Sequence, residues 1–295
     1  MSNDTKSFWL GTIGITIFAF TLPMTKLATG SVTNPELSPW FVSFGRAAFA
    51  GILSVIYLYF THAPRPQKGD ASLLALAALG NGLGWPIFLA LGLQYVESTH
   101  AAVMTGILPL ATAALAAVVF GRKPSLRFWF FAVLGTLLVV AFSLLRGGKG
   151  LSVQSIQSIH WADGLLILAV LSAALGYVFG AKLSQRWKGE HVICWVSVLL
   201  LPITLPLTIM TWPTHTVAAS AWAGFGYVTL LSAWLGMFVW YRALAMGDAV
   251  KVSQLQLAQP FLSIVFSIPL LGEQPDITVW FFGIAVIFTV FLSRK

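Results

Sequence analysis

Charge is what this chain has least of. Only 9% of its 295 residues are charged and 58% are hydrophobic, where a soluble domain carries roughly 25% charged residues. That deficit excludes an ordinary soluble domain and points to a polytopic integral membrane protein. Cysteine is nearly absent. Cys194 stands alone, so neither an internal disulfide nor a cysteine metal cluster can form. Acidic residues are few and peripheral: Asp4, Glu36, Asp70, Glu97, Asp163, Glu190, Asp248, Glu273 and Asp276 all fall in loops or at the ends of apolar runs. With none in mid-span, the buried carboxylate that proton-coupled carriers commonly use is not on hand. Nor is the carboxylate cluster that magnesium-diphosphate chemistry needs. No Gly-x-Ser-x-Gly nucleophile motif occurs.

What the chain does have is apolar runs. Ten can be read, over residues 8–28, 38–60, 72–95, 98–120, 126–145, 162–182, 191–212, 218–245, 250–271 and 276–293. Each is about 20 residues, the length that crosses a bilayer core. Only short loops remain, and no folded domain outside the membrane. Phe8 to Leu22 is too long an apolar run for a signal peptide and reads as the first span. The net charge of +8 does not mark a nucleic-acid binder, because the basic residues alternate between loops. With the N-terminus in the cytoplasm, Lys6, Arg65, Lys68, Arg122, Lys123, Arg127, Arg186, Lys188, Arg294 and Lys295 lie in inner loops and tails. Only Arg146 and Lys149 lie in outer loops. The positive-inside rule then places both termini in the cytoplasm.

One segment occurs twice. Pro109, Gly121, Pro124 and the triplet Trp129-Phe130-Phe131 recur as Pro260, Gly272, Pro275 and Trp280-Phe281-Phe282, at a constant shift of 151 without a gap. Matches between apolar runs are cheap, but these rarer residues in register mark an internal repeat. The tract from Arg146 to Asp163, with Gly147-Gly148-Lys149-Gly150 and a Ser/Gln-rich stretch, joins the halves. The chain divides into residues 1–150 and 151–295. Each half has five spans, and five is odd, so the second half enters the membrane inverted. The expected fold is all-α, with ten transmembrane helices as two inverted five-helix repeats. Such repeats place a substrate site near the midplane where the halves meet.

A Pro-containing apolar helix, a Gly-acidic turn (Gly272-Glu273) and a final aromatic-led helix, present twice, look like the EamA-type drug/metabolite transporters. The resemblance spans the whole chain, and the first copy departs from it with Arg122-Lys123 where Gly-Glu is usual. It implies a bacterial inner-membrane exporter of small metabolites, amino acids above all.

Polar and aromatic residues within the spans are the candidate site. Asn81, Gln254 and Gln256 are amides that must face protein or water rather than lipid, as helix contacts or as cavity lining. Gln259 and Ser263 share the face of Gln256. Trp85 and Trp234 come at mid-depth in spans three and eight, and Tyr177 adds a hydroxyl at similar depth. Arg46, about 12 Å into its helix, either holds an anionic group or snorkels to the outer surface. His100, with Glu97 on the same helix face, either meets substrate at the outer mouth or is structural. Gly80 and Gly84 fit a close helix contact or a hinge.

An aromatic, amide-bearing interior without carboxylates suits aromatic or other large neutral amino acids. Asn81, Gln254 and Gln256 would hydrogen-bond the amino and carboxylate groups. Trp85, Trp234 and Tyr177 would contact the side chain, His100 would assist at the outer mouth, and Pro86, Pro109 and Pro260 would bend in gating. Facilitated movement rather than obligatory proton exchange is expected. No cofactor and no metal is expected. The partners are the substrate and the lipid bilayer, with no nucleic acid, and a monomer is the expected working unit. The rival readings are an exporter of lipophilic cations and an intramembrane enzyme. The first would want a buried anion, and the second lacks its catalytic sets.

Overall fold

The computed structural model describes residues 3–121, 125–145, 161–246 and 254–293. Pro124, Arg122, Lys123, most of the tract joining the halves, Asp248, Lys251, Arg294 and Lys295 lie outside the described residues, as does the side chain of Gln254. The described residues are helical, with one isolated bridge between Gly30 and Pro35 and no strand. Among the described residues, seven helical runs are long and apolar enough to cross a membrane: Thr5–Thr29, Pro39–Phe60, Ala71–Tyr95, Ser98–Val119, Trp161–Ser184, Gly189–Met210 and Ala219–Ala243. Three shorter apolar helices accompany them: Leu126–Phe142, Leu255–Leu271 and Ile277–Thr289.

In chain order the helices are α1 (Asn3–Ala19), α2 (Thr21–Thr29), α3 (Pro39–Phe60), α4 (Ala71–Ala77), α5 (Trp85–Tyr95), α6 (Ser98–Thr105), α7 (Leu108–Val119) and α8 (Leu126–Leu145). Then come α9 (Trp161–Ser184), α10 (Gly189–Met210), α11 (Ala219–Gly226), α12 (Gly236–Met246), α13 (Gln259–Leu271) and α14 (Ile277–Ser293). Two π-helical segments, Ala78–Gly84 and Tyr227–Leu235, interrupt the third and eighth apolar runs. Each ends in a widened turn, where Trp85 N–H reaches Gly80 O and Gly236 N–H reaches Leu231 O.

The shift of 151 runs through these boundaries. Helix α5 starts at Trp85 and α12 at Gly236, α7 at Leu108 and α13 at Gln259, α8 at Leu126 and α14 at Ile277. Pro109 and Pro260 each sit in the first turn of their helix, where a missing N–H costs nothing. Gly121 and Gly272 both have positive φ, 65° and 67°. That left-handed conformation favours glycine and stops the helix. The packing also maps onto itself when the halves are exchanged. α1 packs on α12, and its counterpart α9 packs on α4, the first π segment and α5. α3 packs on α10 and α8 on α14.

Polar contacts between turns sort into two ends of the bundle. At one, Arg186 meets Asp70 at 3.1 Å and Trp195 Nε1 donates to Pro64 O. At the other, Glu36 accepts from Ala218 N, and Glu273 accepts from Ser98 N and Thr99 N at 2.7 and 2.8 Å. Glu273 thus caps the start of α6 from the opposite half, a carboxylate on the positive end of a helix. Within the spans, hydroxyls of Thr12, Thr16, Ser43, Thr105, Thr204 and Thr208 bond back to carbonyls four residues earlier. Donors are satisfied this way where water is scarce.

Candidate functional site

The widened turns and the proline-led helices surround a central cavity. It holds about 710 Å³ of space, its open mouth included. Both π segments line it, through Asn81 and Gly82 in one half and Ser232 and Ala233 in the other. These are repeat equivalents at the shift of 151. Arg46 on α3 and its equivalent Ser197 on α10 face the same space. Phe18, Trp85, Tyr177 and Met237 add apolar and aromatic wall, and Thr21 and Gln259 add polar groups.

A second cavity of about 510 Å³ shares Phe18, Thr21, Trp85, Tyr177 and Gln259 with the first. Its wall holds four pairs of repeat equivalents: Thr105 with Gln256, Leu108 with Gln259, Pro109 with Pro260, and Thr112 with Ser263. The two chambers therefore lie where the pseudo-equivalent faces of the halves converge. Among the described residues lining either chamber there is no Asp, Glu, His or Lys. Arg46 is the one formal charge in the lining.

Asn81, Trp85 and Tyr177 come together in the central cavity, and Gln256, Pro109 and Pro260 in the second. Pro86 is buried two residues beyond the first π segment and does not line either chamber. Trp234 does not line them either. Its Nε1 donates to Ser54 Oγ at 3.1 Å and its ring lies against Tyr57 and Phe238. The register explains this: the equivalent of Trp234 is Leu83, two residues before Trp85. Two residues turn a helix by about 200°, so the two indoles occupy opposite faces.

His100 also lies apart from both chambers. It is buried at 2% exposure, with Nε2 2.7 Å from Asp163 Oδ1 and its ring stacked on Phe142. This pair corrects one expectation from sequence. Carboxylates are buried in this molecule, at Asp70, Asp163 and Glu273. They sit at span ends and are held by partners: Arg186, His100, and the Ser98 and Thr99 amides.

Two lining residues carry more than the sequence reading gave them. Gln259 borders both chambers. Arg46 is 9% exposed and does not snorkel, because α3 turns it inward between α10 and the first π segment. The available signal was that Arg46 is a formal charge inside an apolar run.

A family model described as the EamA-like transporter family matches residues 5–144 and 160–294, once in each half. The chain is 37% identical to an uncharacterized transporter, YdeK, of Bacillus subtilis (strain 168), over 99% of both proteins. It is 26% identical to a probable terminal-alkyne amino-acid exporter of Streptantibioticus cattleyicolor, over 72% of this chain and 69% of that one. A crystal structure covers 98% of this chain and 95% of its own, with a TM-score of 0.63 at 14% identity. That likeness is one of fold alone.

Proposed function

This chain belongs to the EamA-like transporter family and is a multi-pass membrane transporter, and from that premise we propose that it exports small metabolites, aromatic or large neutral amino acids above all. The carrier has ten spans arranged as two inverted repeats, 1–150 and 151–295. It sits in the bacterial inner membrane with both termini in the cytoplasm and works by alternating access.

One observation carries the reading: paired repeat equivalents from both halves line two adjoining chambers. A site on a pseudo-two-fold axis can be opened from either side by related motions of the two repeats. Trp85 and Tyr177 beside Asn81 and Gln259 suit a ligand with one bulky apolar part and one polar part. The seven long and three shorter apolar helices support a count of ten. The exchange of packing partners supports the repeat, and the odd span number supports its inversion. The probable terminal-alkyne amino-acid exporter among the relatives fits the cargo class. Arg46 in the lining disfavours lipophilic cations as cargo. Relatives that are transporters favour movement of an unchanged solute over catalysis.

The test is uptake of labelled phenylalanine into liposomes holding the purified protein, with no imposed pH difference. Saturable uptake of unaltered phenylalanine is expected. Flux that requires a proton gradient would overturn facilitated movement. No flux of any amino acid tested would overturn the cargo reading.

A further inference from the structure

A guanidinium stays ionised in any protein environment and presents five N–H donors in a fixed fork. Arg46 holds such a group in the cavity wall at 9% exposure. It makes no hydrogen bond or ion pair with another described residue. Two other described cations are held by the protein: Arg186 pairs with Asp70, and Lys26 donates to the Leu93 and Val96 carbonyls. Among the described residues, the cavity lining offers no counter-charge. At the repeat-equivalent position stands Ser197, so the charge falls on one side of an otherwise paired wall.

We propose that Arg46 is a carboxylate subsite, and that the preferred cargo is a small organic monocarboxylate with an apolar or aromatic body and no ammonium group. The proposal rests on the carrier reading and, within small metabolites, moves the preferred cargo from amino acids to monocarboxylates. The reason is the charge of the filled cavity. Empty, the lining carries one positive charge. A monocarboxylate brings the site to neutrality and can take the guanidinium fork through two oxygens. A zwitterion leaves the net charge where it was. It also places an ammonium within a few ångströms of the guanidinium, with neutral oxygens, those of Thr21, Asn81, Tyr177, Ser197, Ser232 and Gln259, to receive it. Like charges at that range repel strongly in a site lined by Phe18, Trp85 and Met237. A cation without a carboxylate has nothing to gain there. Recognition therefore centres on the carboxylate, and the amino group of an amino acid is a penalty.

Three probes with the same phenyl body separate these cases: 3-phenylpropionate, phenylalanine and phenylalaninamide. Binding to the purified full chain is read by ligand-induced thermal shift, and transport by competition against labelled phenylalanine in liposomes. The expected order is 3-phenylpropionate tighter than phenylalanine by about tenfold, and phenylalaninamide weakest. Arg46→Gln should cost 3-phenylpropionate about a hundredfold and phenylalaninamide nothing, while Arg46→Lys should retain part of the binding. If Arg46→Gln fails to fold, the probe order on the unmodified protein decides alone. Phenylalanine binding as tightly as 3-phenylpropionate overturns the subsite proposal and leaves the carrier reading standing. Ordered binding without flux of any probe supports the subsite and overturns the carrier reading.

Discussion

The contact between the halves at Gly80 yields the sharpest prediction. A methyl group built on Gly80 would lie 2.4 Å from Gly176 N and 2.5 Å from Ser172 O. Both atoms are backbone of α9, so no side chain can swing aside. Ordinary contact begins near 3.4 Å, so Gly80→Ala must part the first π segment from α9 by about 1 Å. Forcing apart a packed interface costs about 1–3 kcal/mol. For a chain of this size that lowers an apparent Tm by about 5 °C. Function should suffer too, because Asn81 follows in the same segment and its amide lies over Gly176, 2.4 Å from a methyl placed there.

The assay is thermal unfolding in detergent followed by tryptophan fluorescence, with uptake measured in parallel. Gly164→Ala on the same helix is the control, since nothing lies within 4 Å of its added methyl. It should be neutral or slightly stabilising through helix propensity. Gly176→Ala should resemble Gly80→Ala. The double substitution should cost less than the two singles together, because one separation makes room for both methyls. Gly80→Ala with the Tm and uptake of the unmodified protein would refute the close approach. A strictly additive double substitution would refute the shared gap.

Three further predictions concern the span ends. His100→Leu should lower stability by about 3 kcal/mol, since it removes a partner of buried Asp163. Substrate affinity should not change, and a raised KM at intact stability would return His100 to the substrate path. Glu273→Gln should cost about 1–2 kcal/mol through loss of the charge that caps α6. A thermal-unfolding midpoint unaffected by the exchange would argue against that cap. In a Cys194→Ala background, single cysteines at Arg65 and Thr216, exposed equivalents at the shift of 151, should be labelled by an impermeant thiol reagent from opposite sides of the membrane. Labelling from the same side removes the inversion.

The repeat was legible because its markers are residues whose backbone chemistry is restrictive. Pro109 and Pro260 begin helices, and Gly121 and Gly272 end them with positive φ. Prolines and left-handed glycines constrain the chain locally, so sequence alone places them. Rotation about a helix axis is another matter, as each residue turns it by about 100°. Arg46 could face lipid headgroups or the interior, and only the packing of α3 on α10 decides. Trp85 and Trp234 look alike in depth and differ by two residues in register, which separates their faces. His100 meets Asp163 across 63 positions, a pairing no local pattern announces. The amides were read as facing protein or water, and Asn81, Gln256 and Gln259 line the chambers. That inference needed only the cost of an unsatisfied amide in lipid.

The lining joins symmetry to its breaking, and each serves a different need of a carrier. Paired walls such as Pro109 with Pro260 and Thr112 with Ser263 give the two halves matching bends, so an opening motion available to one is available to the other. A fully symmetric site would bind its ligand in two opposed orientations, with no preferred order of release. Arg46 opposite Ser197, and Asn81 opposite Ser232, remove that degeneracy. If Arg46 holds the carboxylate as proposed, then under alternating access the carboxylate stays with the first repeat throughout the cycle. Under the facilitated movement proposed above, the direction of net transport follows the solute gradient. On that proposal Arg46 selects the solute that neutralises the cavity.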